Sequence, residues 1–399
     1  MDDLLPSLLA PAATKVVLVV IDGLGGFRTD ERGSELHAAR TPNLDRLARE
    51  GSTGLHTVVA PGITAGSGTG HLAVFGYDPY VYELGRGALS AAGVMFPLQA
   101  GDVAARVNFC TLDAAGTITD RRAGRIPTAE NARLVAKILD GLRPPQGVEV
   151  FMSTELEHRA LLVLRGPGLS PDLADTDPQV VGVPPKEPAA RSVEAEGTAA
   201  LLAGLLAQIR SILEAEQANF ILLRGFDTLR AMPLFPQRYG VRAQAVTIYP
   251  MYAGIARILG FDVARSDTGL AGELALLKET WDTHDFFYFH HKKADSAGED
   301  GDFDRKAAAI EELDAVIPDI LDLGPDVVCV TGDHSTPSQL RAHSWHPVPV
   351  VMWGAHVGVD GTAVFDEEAG RSGGLGHVLG KELMGLMLAA AGRLIKYGP

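Results

Sequence analysis

Cysteine is scarce: only Cys110 and Cys329 occur in 399 residues. Both sit in apolar, strand-like runs, which fits buried thiols in a reducing compartment and argues against a disulfide framework. Basic residues are also short, 35 against 50 acidic, and the net charge of −15 disfavours non-specific nucleic-acid binding. An acidic chain can bind an anion only by concentrating its Arg and Lys locally or by using metal ions. No apolar run approaches the ~18 residues of a membrane span. The N-terminal Met-Asp-Asp-Leu-Leu-Pro lacks both the basic region and the continuous apolar stretch of a signal peptide. These absences predict a soluble, cytoplasmic protein with no nucleic-acid or membrane partner. Internal repeats and low-complexity linkers are missing too. Hydrophobic residues, at 46%, are ample for buried cores, and the length suggests about two or three domains.

Glycine is where the sequence becomes specific. Gly66-Ser67-Gly68-Thr69-Gly70-His71 sets three glycines two apart around a serine and a threonine. Glycine lets a backbone bend sharply and approach a ligand without a Cβ in the way. The following His71-Leu-Ala-Val-Phe reads as a helical turn, so Ser67 is placed just before a helix start, where N–H groups attract phosphate oxygens. Ser67 is therefore a candidate phosphorylatable nucleophile, although such a loop in isolation is more often merely flexible. The stretch lacks a Gly-Lys-Ser/Thr ending and is no P-loop. Ala65 and Thr69 stand where a hydrolase elbow needs glycines. A dinucleotide fingerprint fails as well, because Arg28 occupies the third glycine position after Asp22-Gly23-Leu24-Gly25.

Apolar runs alternate with amphipathic ones along most of the chain, the pattern of an α/β fold. Val16–Ile21 predicts a buried parallel strand, and Thr41-Pro42 opens a helix that runs to Glu50. Leu55–Ala60, Ala243–Tyr249, Asp285–His291, Asp326–Thr331 and Val348–Met352 predict further strands. Long helices are predicted over 303–323 and 376–391. From about Ala92 the texture changes, and residues 92–240 read as a smaller α/β domain inserted into a core formed by 1–91 and 241–399. This insert carries a dense basic turn, Arg121, Arg122 and Arg125, which is informative in an acidic chain.

Three predicted strands end in ligand-type residues: Asp22, Asp295, and Asp333 with His334. In a parallel sheet these ends share one edge, where open α/β sheets bind ligands. His343 and Glu299 complete a cluster of carboxylates and imidazoles with room for two ions. Mixed Asp/His ligation suits Mn²⁺ or Zn²⁺ better than Ca²⁺, and Mn²⁺ better than Mg²⁺.

With these motifs in hand the chain resembles the archaeal-type 2,3-bisphosphoglycerate-independent phosphoglycerate mutases of the alkaline phosphatase superfamily. The matching stretches are Val-Val-Ile-Asp22-Gly-Leu-Gly, Thr41-Pro-Asn-Leu-Asp45, Gly66-Ser67-Gly-Thr-Gly-His71, and Asn108 with Asp120-Arg-Arg-Ala-Gly-Arg125. Further on come Leu164-Arg-Gly-Pro-Gly-Leu-Ser170, Asp175-Thr-Asp-Pro178, His290 and Lys292 with Asp295-Ser-Ala-Gly-Glu-Asp-Gly-Asp302, Gly332-Asp333-His334, and His343-Ser-Trp-His-Pro347. They span nearly the whole chain. The resemblance implies an alkaline-phosphatase-like, mostly parallel sheet core flanked by helices, with an inserted α/β lid.

It also implies two divalent ions, Mn²⁺ first and Zn²⁺, Mg²⁺ or Co²⁺ as alternatives, with no 2,3-bisphosphoglycerate. One ion would use Asp22, Ser67, Asp333 and His334; the other would use Asp295, Glu299 and His343. The family commonly has a histidine where Glu299 stands, and a lysine where Ala253 stands. The implied reaction interconverts 2- and 3-phosphoglycerate in glycolysis and gluconeogenesis through phospho-Ser67. Lys292 would help neutralise the phosphate, and Asp120 would shuttle a proton between the two hydroxyls. Arg106, Arg122, Arg125 and Arg224 would clamp the glycerate carboxylate, whose planarity suits a guanidinium fork, with His158 lining the site. A metal-dependent phosphomonoesterase and a homoserine-kinase-like phosphotransferase share the same core and are the alternatives, and a homo-oligomer is compatible with all three.

Overall fold

The computed structural model describes residues 4–28, 32–229, 232–266 and 268–398. Thirteen strands are found among the described residues. In chain order they are β1 (Val16–Ile21), β2 (Ser52–Thr57), β3 (Val103–Leu112), β4 (Ile118–Asp120), β5 (Glu149–Leu156), β6 (Arg159–Arg165), β7 (Phe220–Asp227), β8 (Ala243–Val246), β9 (Asp262–Ala264), β10 (Phe286–His291), β11 (Val327–Thr331), β12 (Val348–Gly354) and β13 (Gly376–Leu379). The chain divides into two compact units, Met1–Glu83 with Met232–Pro399 and Leu84–Ala231.

That division lies eight or nine residues ahead of the 92 and 240 boundaries read from the sequence. The Arg86–Gly93 helix explains the first shift: it lies so close on β3 that a Cβ at Gly87 would meet Ala104 O at 2.0 Å. Phe235 explains the second. It packs with Phe75, Phe261 and Phe286 in the first unit.

The first unit is built on an eight-stranded sheet in the order β13-β2-β12-β11-β1-β10-β8-β9. All neighbours pair parallel except β12, which runs against both β11 and β2. β1 is central, with every residue buried, and continuous burial is what an unbroken run of valine, leucine and isoleucine in a covered parallel sheet requires. Its register pairs Val20 with both His290 and Thr331. The chain therefore leaves β1, β10 and β11 at the same level, toward Asp22, Lys292 and Asp333. Alternation along β10 sends Phe287 to the side of Trp281 and Tyr288 to the side of His71.

Local expectations failed in identifiable ways. β2 starts at Ser52, directly after the helix ends at Gly51, three residues earlier than the apolar run suggested. The helix predicted over 303–323 is two helices, Phe303–Asp314 and Ile317–Leu321, and Pro318, which has no N–H to give, sits in the first turn of the second. The helix predicted over 376–391 begins only at Leu383. Its first four residues form β13 beside β2, because a short apolar run takes whichever form its neighbours complete.

The second unit is antiparallel throughout, with order β4-β3-β6-β5 and β7 also on β3. It is thus an antiparallel sheet with helices, not a second parallel α/β layer. The Thr128–Gly141 and Glu196–Leu213 helices bury Leu134, Ile138, Leu202, Leu205 and Ile209 into its core, with Phe109, Leu162 and Ile221 of the sheet. Cys110 and Cys329 are free and buried. Among the described residues no helix is long and apolar enough to cross a membrane.

Candidate functional site

The Ser67–Val74 helix begins on Ser67 itself, with Gly66 as its N-cap, so the serine is the first helical residue and not the one before it. Its hydroxyl oxygen lies 3.2 Å from His334 Nε2. That imidazole is 3.4 Å from Asp22 Oδ1 and 3.3 Å from Asp333 Oδ2. Gly23 N–H donates to Asp333 Oδ1 at 3.2 Å, which ties the loop after β1 to the loop after β11. Asp295 opens the other half: its Oδ1 is 3.6 Å from His343 Nε2, and the His343 ring stacks on His334 at 3.6 Å between centroids.

Lys292 joins the halves, with Nζ 3.2 Å from Asp22 Oδ2, 2.5 Å from Asp295 Oδ2 and 3.0 Å from the Tyr252 hydroxyl. Two sets of ligand-type atoms result, Asp22 with Asp333 and His334, and Asp295 with His334 and His343, each lying within 4.8 Å of one another. Glu299 belongs to neither set. It is half-exposed, with Oε1 3.8 Å from His343 Nε2.

These groups fit divalent cations. Asp22 Oδ1 and Asp333 Oδ2 are fully buried, yet neither receives a hydrogen bond. Buried carboxylate oxygens are nearly always satisfied, and ion coordination is one way to satisfy them. The ammonium of Lys292, held between Asp22 and Asp295, shows that the pocket accepts positive charge there. Burial and the adjacent Asp333 carboxylate push the Asp22 pKa up to about 6. Burial would do the same to Asp333, but His334 and His71 hold it well below the usual carboxylate range. Burial also opposes charge on Lys292, and Asp22 and Asp295 outweigh it, raising its pKa.

Sequence reading missed four neighbours. His71 donates from Nδ1 to Ser67 O at 2.8 Å and lies 3.1 Å from Asp333 Oδ2; its spacing of four residues from Ser67 on one helix was the available signal. His290 Nε2 is 3.1 Å from Asp22 Oδ2, and strand alternation with Lys292 could have shown it. Tyr252 and Thr336 carried no such signal.

Gly70 is a sharper case. A Cβ there would lie 2.2 Å from Asp333 O. Alanine is the better helix former by ~1 kcal/mol, yet Gly70→Ala is expected to destabilise the protein by about 1–3 kcal/mol, because the Ser67 helix must lift off the Asp333 backbone. A thermal melt checks this, and an equal or higher midpoint would contradict it.

The second unit has its own polar cavity of about 400 Å³, lined by Arg86, Arg106, Arg121, Arg122, Arg159 and Arg224 with Asn108, His158 and Gln179. Glu155 pairs with Arg106 at 3.1 Å, and Asp177 takes Arg121 at 2.6 Å. Arg224 is 3.7 Å from both Asp175 and Asp177. These three carboxylates leave the six guanidiniums in excess. Burial, then Arg159, Arg122, Arg125 and Arg106, pull the His158 pKa down to about 4, so its ring is neutral near pH 7. Arg106, Arg122, His158 and Arg224 line this one cavity. Arg125 does not line the cavity, and Asp120 spends its two oxygens on Arg122 N–H and Gly124 N–H at 2.7 and 2.6 Å, holding the basic turn.

A mostly parallel sheet with carboxylates and imidazoles gathered beyond its strand ends defines the class first, an α/β protein with a cation-suited site at its sheet edge. The family described as 2,3-bisphosphoglycerate-independent phosphoglycerate mutase matches residues 48–219. A Thermus thermophilus relative, named a probable 2,3-bisphosphoglycerate-independent phosphoglycerate mutase, is 48% identical over 399 residues, covering 99% of this chain and 98% of its own. A solved Pyrococcus horikoshii protein is similar with a TM-score of 0.83 at 30% identity, over 97% of this chain and 99% of that one. The cofactor-independent phosphoglycerate mutase of Thermoplasma acidophilum is similar at 0.71 and 30%, over 95% and 100%. The chain belongs to the 2,3-bisphosphoglycerate-independent phosphoglycerate mutases. Membership implies divalent metal ions, and the two ligand groups are suited to them.

Proposed function

We propose that this chain interconverts 2-phosphoglycerate and 3-phosphoglycerate through a phosphoserine at Ser67, without 2,3-bisphosphoglycerate. The observation that carries the reading is the Ser67 hydroxyl, 3.2 Å from Nε2 of His334, the residue common to both ligand groups. Asp22, Ser67, Asp333 and His334 would hold one ion. Asp295 and His343, with Glu299 swinging in from its exposed position, would hold the other. Mn²⁺ suits this mixed carboxylate and imidazole set best, and the added carboxylate of Glu299 favours it over Zn²⁺. When bound, such ions supply Lewis-acid polarisation of the phosphate oxygens and of the serine hydroxyl.

The protein's own groups then have distinct tasks. Ser67 Oγ forms the new bond to phosphorus as the glycerate oxygen leaves, which splits one transfer into two. Lys292 offers its ammonium to the phosphate. The arginine cavity of the second unit, Arg106, Arg122 and Arg224 foremost, clamps the glycerate carboxylate, and Arg125 adds positive potential felt at His158. Asp120 keeps lone pairs beyond its two backbone bonds and passes a proton to the departing oxygen and back from the other hydroxyl. Glycerate must stay bound through this exchange, since water in its place would turn phosphoserine into free phosphate. On this reading the enzyme serves glycolysis and gluconeogenesis in the cytoplasm.

The test is product analysis of the purified chain with Mn²⁺ and 3-phosphoglycerate, with 2,3-bisphosphoglycerate left out. The expected product is 2-phosphoglycerate. Inorganic phosphate alone would make the protein a phosphomonoesterase, and turnover that needs ATP would make it a phosphotransferase.

A further inference from the structure

We infer that Thr336 is the positioning residue that couples the two ligand groups, fixing which nitrogen of His334 faces them and where Asp295 points. The inference rests on the reading that those groups hold metal ions.

Thr336 is fully buried, and its hydroxyl lies 2.7 Å from Asp295 Oδ1 and 2.9 Å from His334 Nδ1. A hydroxyl has one proton to give. Asp295, paired with the Lys292 ammonium at 2.5 Å, is a carboxylate that only accepts. The Thr336 proton therefore goes to Asp295, and the bond to His334 runs the other way, from Nδ1–H into the threonine oxygen. This leaves Nε2 of His334 unprotonated, with its lone pair toward Ser67, Asp22 and Asp333. One side chain so orients a ligand from each group, which is how hydrogen bonds behind a metal site act on affinity.

The backbone holds Thr336 in place from three directions. Its N–H points to Gly23 O and Gly25 O at 3.3 and 3.1 Å, in the loop that follows Asp22. Its carbonyl accepts from the fully buried Lys306 ammonium at 2.9 Å, which also reaches Gly25 O at 3.1 Å. Two glycines make room for it. Gly23 has φ +67°, and a Cβ there would sit 2.7 Å from the Thr336 hydroxyl; a Cβ at Gly298 would sit 2.2 Å from its carbonyl. Gly23 follows Asp22 and Gly298 follows Asp295 by three residues, so each ligand-bearing segment is pressed onto the same threonine.

The test titrates Mn²⁺ into the metal-depleted full chain, read by paramagnetic resonance of the free ion. The parent is expected to bind two ions, Thr336→Val to bind Mn²⁺ about 10- to 100-fold more weakly, and Thr336→Ser to match the parent. Parent-like affinity in the valine variant overturns the inference and leaves the metal reading standing. No binding by the parent overturns the metal reading and the inference with it. A second measurement needs no variant: ¹⁵N shifts of His334 in the metal-free parent are expected to place its proton on Nδ1, and a proton on Nε2 overturns the inference.

Discussion

Ser67→Ala is expected to abolish isomerisation and phosphoenzyme formation together, with a loss on the order of 10⁴-fold or more in turnover. The reason is chemical, since no other hydroxyl of the Gly66–Gly70 stretch is offered to the shared histidine. Thr69 is two positions along the same helix and so faces elsewhere. The substitution leaves the fold alone, because the hydroxyl's described partners, His334 and Tyr252, are side chains of the site, and the cost in stability is about 1 kcal/mol. Acid-quenched protein from a reaction with 3-phosphoglycerate, examined by intact mass, should carry one added phosphoryl group in the parent and none in the variant. Retained mutase activity in the variant would remove Ser67 as nucleophile.

Stripping divalent ions is expected to bring turnover to background and to lower the thermal midpoint, with both restored by Mn²⁺. Asp22, Asp333 and Asp295 are all buried and close together, and the histidines and Lys292 offset them only in part. Two of their oxygens, Asp22 Oδ1 and Asp333 Oδ2, receive no hydrogen bond from the described residues. An ion that binds the native state alone stabilises it by about 2.7 kcal/mol at a hundredfold excess over Kd. Full activity after chelation, with no ion found by elemental analysis, would contradict the metal reading. A lowered midpoint with unchanged turnover would assign the ions to structure alone.

The aspartates were legible because each follows an apolar run, and a parallel sheet brings such ends to one edge without further information. Ser67 stood out by its glycines, and the basic turn pointed to part of the arginine cavity, since Arg121 and Arg122 line it while Arg125 does not. His71 and His290 were missed as site groups although local spacing pointed to them. Tyr252 and Thr336 could not be read, because a phenol or a hydroxyl gains its role only from neighbours that tertiary packing supplies. The same holds for β13 and for the antiparallel pairing of the second unit, since strand direction is settled by which partner a strand meets. Glu299 stands apart: the sequence assigned it to a ligand group, and the structure leaves its carboxylate 3.8 Å from His343 on a half-exposed helix.

The order of strands in the first sheet also governs when the site can exist. β1 lies between β11 and β10, which are synthesised some 270 or more residues after it, and the intervening chain includes the whole second unit. Contacts so distant in sequence form slowly and late. On the ribosome the second unit, contiguous and with its own core, emerges complete before β10 is made. Until then Asp22 sits at the end of a bare valine strand with no partner on either side. The ligand groups close only when Asp333 and His343 arrive, so nearly the entire chain must be made before the first ion can be held.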